Sequence, residues 1–81
     1  MNLEVAELRA LRQISEGEVT VAHGGYVHHG RPITGELFHA LVRLHTAGYI
    51  AICAPGPSRH RPVQTTPAGM ARLAELGSRH G

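Results

Sequence analysis

An α+β domain of three helices and two β-hairpins is the fold class this sequence predicts, and three patterns predict it. Residues 4–15, 35–47 and 67–76 are rich in helix formers, with apolar side chains returning every three or four positions. Short β-prone runs, Val19–Val21, Tyr26–His29, Tyr49–Cys53 and Val63–Thr65, lie between them. Glycine and proline punctuate every junction. The expected order is α-β-β-α-β-(loop)-β-α.

The first helix, from about Glu4 to Ser15, lacks Gly and Pro. On a helical wheel Leu3, Ala10, Leu11 and Ile14 cluster on one side, with Arg9, Arg12 and Gln13 opposite. Glu7 falls inside the apolar stripe, either at a solvated edge or facing a partner. The hairpin that follows has two registers available. A three-residue loop sets Val21 opposite Val27 and is preferred because it matches apolar partners, whereas a two-residue Gly-Gly turn sets Val21 opposite His28.

Arg31-Pro32-Ile33 ends this hairpin, and Thr34 stands where an N-cap belongs, its hydroxyl able to accept a first-turn amide. The second helix spans about Gly35 to Ala47. Leu37, Leu41, Leu44 and the flanking Phe38 form its buried stripe, Glu36, His39, Ala40 and Arg43 project away, and Gly48 stops it. Ile50 and Ile52 share one face of the next strand, which Val63–Thr65 pairs. Three prolines in residues 55–62 forbid continuous ladder pairing there, so these residues form an exposed loop with Arg59, His60 and Arg61 at its tip. Thr66-Pro67 opens the third helix as a cap followed by proline at the first helical position. Met70, Leu73, Ala74 and Leu76 make its apolar face, Arg72, Glu75 and Arg79 its wet face, and Gly77 its stop. Residues 1–77 are expected to form the single domain and 78–81 a flexible tail.

Eighty-one residues hold one core, and 42% hydrophobic with 17% charged residues excludes a disordered chain. No apolar run approaches the roughly 20 residues of a membrane span, and the N-terminal residues lack the basic-then-apolar order of a signal peptide. The expectation is a soluble, cytoplasmic protein that does not engage a membrane. The single cysteine, Cys53, cannot form an internal disulfide. Charge is unevenly distributed. Residues 1–18 set Glu4, Glu7, Glu16 and Glu18 against Arg9 and Arg12, a net of −2, while residues 19–81 set six arginines against Glu36 and Glu75, a net of +4. His23, His28, His29, His39, His45 and His60 also lie in this second part, which points to an anionic partner.

From Leu37 onward the sequence resembles the second half of a winged helix-turn-helix domain of the MarR or PadR type. The matching residues are Leu44, Gly48, Tyr49 and Ile50 at the end of a recognition helix, then Arg59 and Arg61 on a wing, then Thr65, Thr66, Pro67 and Gly69 opening the next helix, followed by Leu73 and Leu76. The resemblance covers about half the chain and implies a small winged-helix domain that binds double-stranded DNA as a regulator of transcription or an accessory factor of a mobile element. It implies Arg59 and Arg61 on phosphate or in the minor groove, with Thr34, His39 and Arg43 on the major-groove side. Arg31 and His60 complete the expected contact set. Two departures stand out: a Gly-rich hairpin replaces the helix that normally precedes the recognition helix, and aspartate is absent from the chain.

No cofactor and no catalytic centre are expected. Cys53 has no evident base and orienting group, and neighbouring strand residues point to opposite faces, so His28 and His29 should not share an ion. No metal site is therefore expected. Three aromatic residues, Tyr26, Phe38 and Tyr49, are too few for a base-stacking platform. A protein-interaction module that does not bind DNA is the alternative function, with the first hairpin and helix as its contact surface. A homodimer through the first or third helix is also expected.

Overall fold

The computed structural model describes residues 3–22, 24–54 and 60–80. It contains α1 (Leu3–Ser15), β1 (Val19–Ala22), β2 (Gly25–His28), β3 (Arg31–Pro32), α2 (Gly35–Thr46), β4 (Ile50–Ile52), β5 (Arg61–Thr65) and α3 (Pro67–His80). The strands form one antiparallel sheet in the order β3-β2-β1-β5-β4. Three helices and a five-stranded sheet make this a small α+β fold. The strand β3 was not expected, and neither was the joining of the two hairpins through β1 and β5.

Both α1 and α2 end for the same physical reason. Gly17 and Gly48 have φ of 76° and 81°, a conformation that costs glycine nothing. After each glycine the chain returns two amides to the last turn. Gly17 and Glu18 donate to the carbonyls of Ile14 and Gln13 at 2.9 and 3.2 Å, and Gly48 and Tyr49 donate to those of His45 and Leu44 at 3.1 and 2.9 Å. Gly77 does no such thing, because α3 continues through it to His80. Residues 78–80 are therefore helical rather than a loose tail, held by Arg79, whose guanidinium lies 2.7 Å from Glu4 and 3.0 Å from Glu75.

The first hairpin adopts neither expected register. Val21 pairs with Tyr26, Thr20 with Val27, Val19 with His28 and Ala22 with Gly25, while His23 lies outside the described residues. This register sets Val19, Val21 and Tyr26 on one face, where the Tyr26 ring meets Phe38 of α2 edge-on at 6.2 Å. The helices pack on that face, with α1 against α2, α3 and β5. Leu11, Leu41, Leu44 and Leu76 are fully buried at the centre, together with Ala10 and Ala40. Ala40 thus faces inward rather than outward, whereas Leu3 and Met70, expected inside, are exposed.

In the second hairpin the ladder runs further than proline content implied. Cys53 N–H donates to the Pro62 carbonyl at 2.8 Å, and Pro62, lacking an N–H, cannot return a bond to the Cys53 carbonyl. The Arg61 side chain takes over that role, its Nε–H donating to Cys53 O at 3.0 Å. Arg61 therefore belongs to β5 at the base of the loop and not to its tip.

The start of α3 is docked on the end of α2. Thr66 N–H donates to Tyr49 O at 3.0 Å, its hydroxyl donates to Gly48 O at 2.7 Å and accepts the Gly69 amide at 3.1 Å. Gly69 lies against the same Tyr49 carbonyl, and a Cβ there would collide with that oxygen and stand 2.7 Å from Thr65 Cγ2. By contrast, the Thr34 hydroxyl makes no capping bond to α2.

Glu7, 7% exposed, is the one buried charged residue recorded among the described residues, and its partners lie within the chain. Arg72 of α3 approaches it to 3.2 Å and Arg43 of α2 to 3.8 Å. Arg72 also meets Glu75 at 3.1 Å. Desolvation lowers the Arg72 pKa, but the Glu7 hydrogen bond and the Glu7 and Glu75 charges outweigh it and hold the guanidinium firmly charged. At the outer end of the same seam Glu4 is held below the ordinary glutamate range, first by its hydrogen bond with His80 and then by the charges of Arg79, His80 and Arg72, against an opposing desolvation effect.

Two outcomes follow from this packing. Gly69→Ala should cost about 1–3 kcal/mol in urea unfolding, because the colliding atom is backbone and cannot swing away. Arg72→Met should cost about 2–3 kcal/mol by stranding the Glu7 carboxylate, and the Glu7→Leu, Arg72→Met double variant should recover most of that loss. A double variant as unstable as the single would show that the arginine acts through packing alone.

Candidate functional site

Two clusters of side chains outside the core carry chemistry. The first is the outward stripe of α2 with the base of the β4–β5 hairpin. His39, Val42, Arg43 and Thr46 face solvent along α2, and His60 and Arg61 are exposed where the hairpin loop re-enters the sheet. His39 and Arg43, four positions apart, share the stripe. Arg43 is 63% exposed but leans on Glu7, which offsets part of its charge. The other expected contact residues lie elsewhere. Thr34 lines an open cleft of about 770 Å³ between α1 and the start of α2, with Val5, Leu8, Arg9, Arg12 and Leu37. Arg31 is exposed on β3 and pairs across to His28. Arg59 lies outside the described residues.

The second cluster was not anticipated from sequence. His28 Nε2 lies 2.8 Å from Glu18 Oε2, and His29 Nε2 lies 3.5 Å from the same oxygen. One donor atom from each of the three residues falls within 4.8 Å of the others. Strand alternation should have separated the two histidines. It fails because His29 has left the strand: with φ of 52° at His29 and 79° at Gly30, the two residues make the positive-φ pair that a tight hairpin turn requires between β2 and β3. The turn rotates the His29 ring back beside His28, their centroids 4.2 Å apart. Glu18 is placed just as firmly, since it is the residue whose amide closes the end of α1.

The carboxylate only accepts, so the His28 nitrogen facing it carries a proton. Glu18 is held below the ordinary glutamate range, first by this bond and then by the His29 and His28 charges, while desolvation opposes them. His28 and Glu18 are half-buried and His29 is open to solvent. The His-Gly dipeptide at a two-residue turn was the signal in the sequence that could have exposed the cluster.

Cys53 is half-buried at the end of β4, its backbone engaged by Pro62 and Arg61. Among the described residues no helix is long and apolar enough to cross a membrane. No protein-family model, curated protein or solved structure matches this chain.

Arg61→Ala removes a single exposed hydrogen bond at the hairpin base and should shift unfolding free energy by no more than about 1 kcal/mol. A larger loss in a denaturant titration would mean that the arginine holds the hairpin together.

Proposed function

We propose that this chain is a small winged-helix protein that binds duplex DNA, with α2 in the major groove and the β4–β5 hairpin as a wing against the neighbouring backbone. The observation that carries this reading is the unit from α2 to α3: an outward helix face with nothing packed over it among the described residues, a glycine-terminated exit, an antiparallel hairpin whose returning strand begins with Arg61, and a Thr-Pro-x-Gly helix start docked on that exit. It follows the order that the family resemblance implies. The 12 residues of α2 extend about 18 Å, enough to lie along a groove. His39, Arg43 and Thr46 are the side chains available to bases or phosphates, and Arg59, His60 and Arg61 those available to the flanking strand. Arg31 and Thr34 are peripheral to this surface. Two copies pairing through α1 or α3 belong to the same reading, since Leu3 and Val5 on α1 and Met70 on α3 are exposed apolar side chains.

A second reading is favoured by the opposite face of the sheet. Thr20, Val27, Pro32, Ala51, Pro62 and Gln64 alternate onto it, uncharged and with no helix packed over them. Such a face fits a protein partner better than a polyanion, and the chain would then be an interaction module.

Fluorescence anisotropy with a labelled generic duplex across a salt series separates the two. DNA binding predicts a linear log–log loss of affinity with salt, and the Arg59→Ala, Arg61→Ala double variant should shallow that slope by about 1.8 through loss of two phosphate contacts. No binding at low salt would sink the DNA reading in favour of the interaction module.

A further inference from the structure

We propose that Glu18, His28 and His29 form a binding site for a divalent late first-row transition ion, with Zn²⁺ the ion best suited to it. The site is independent of DNA binding and rests on the geometry of three side chains, from just beyond the end of α1, the last residue of β2 and the turn that follows it.

Three donors on a tetrahedral ion with bonds of about 2.0–2.1 Å lie roughly 3.3 Å apart. The Glu18 oxygen already stands 2.8 and 3.5 Å from the two imidazole nitrogens, and no pair of donors in the triad is separated by more than 4.8 Å. Small ring rotations therefore suffice to bring all three onto one ion. Two neutral imidazoles and a carboxylate are a donor set that favours Zn²⁺, Co²⁺ or Ni²⁺ over Mg²⁺ or Ca²⁺, which prefer all-oxygen surroundings. The exposure of His29 leaves the remaining coordination positions to water.

The backbone supports the same assignment. A left-handed conformation is uncommon for a residue other than glycine, and His29 is the only described non-glycine residue that adopts it. Glycine would serve the turn at lower steric cost, so histidine at this position brings an imidazole to Glu18 at the expense of local backbone ease. On metal binding the His28 ring carries its proton on Nδ1 and offers Nε2 to the ion, so the carboxylate that now accepts a hydrogen bond becomes a ligand without moving far. Bound there, the ion would tie the end of α1 to the β2–β3 turn. It would thereby brace β3, the segment that leads into α2.

Isothermal titration of the untagged protein with Zn²⁺ alone, beside thermal melts, tests the site. The expected result is one ion per chain, a Tm that rises with Zn²⁺ concentration and not with Mg²⁺, and affinity lower by about tenfold or more in both His29→Gly and Glu18→Gln. Glycine suits the turn, so the metal-free His29→Gly protein should melt no lower than the parent, which separates lost ligation from lost folding. Absence of Zn²⁺ binding, or binding of unchanged affinity in both variants, would overturn the proposal.

Discussion

The Tyr49 carbonyl is the point at which the second half of the chain is held together. It accepts the Thr66 amide and sits where any side chain at position 69 would have to be. The two ends of the β4–β5 hairpin are thus fastened to each other at the exit of α2, and the direction in which α3 departs is set there. Had α3 left at another angle, Arg72 would not reach Glu7 nor Arg79 reach Glu4. A backbone contact at one junction therefore determines which charges meet some distance away.

Those meetings change how the charge of the molecule is to be understood. The acidic bias of the first eighteen residues is not a bare acidic surface. Glu4 and Glu7 are engaged by arginines of α2 and α3, and Glu18 by two histidines. The same pairing withdraws Arg72 and Arg79, and in part Arg43, from any external anion. What stays outward and basic is a smaller set, with Arg9, Arg12, Arg31 and Arg61 exposed and not placed in any ion pair among the described residues. These arginines are spread over α1, β3 and β5, so the exposed basic charge is dispersed rather than gathered on one element.

The helices and the α2-to-α3 unit were legible because local chemistry dictates them: glycine at the left-handed ends of α1 and α2, threonine then proline at the start of α3, and leucines at helical spacing. Gly77 misled because glycine only permits a helix to end, and here the ion pairs of Arg79 with Glu4 and Glu75 carry the helix onward. Residues 31–32 were read as the close of a hairpin because two residues are too few to show alternation, yet they form a third strand. Glu7 was legible as an anomaly but not as a partner of Arg72, since the pair is 65 residues apart and no local rule connects them. Of the chemistry-bearing residues, the exposed arginines and histidines were visible in sequence. The Glu18, His28 and His29 cluster was hidden by strand alternation that the positive-φ turn cancels.

The seam between α1 and α3 also has a temporal meaning. Helix α1 leaves the ribosome before α3, but the arginine nearest its buried carboxylate lies 65 positions later, and strand β1, already paired with β2, waits for a second partner that begins at Arg61. Contacts of such long sequence separation close late, after the intervening chain has been ordered. Until β5 and α3 emerge, one edge of β1 and part of the apolar stripe of α1 remain uncovered, and the nascent chain is more adhesive than the finished protein. Emergence of α3 is thus the event that turns an open, association-prone chain into a closed one.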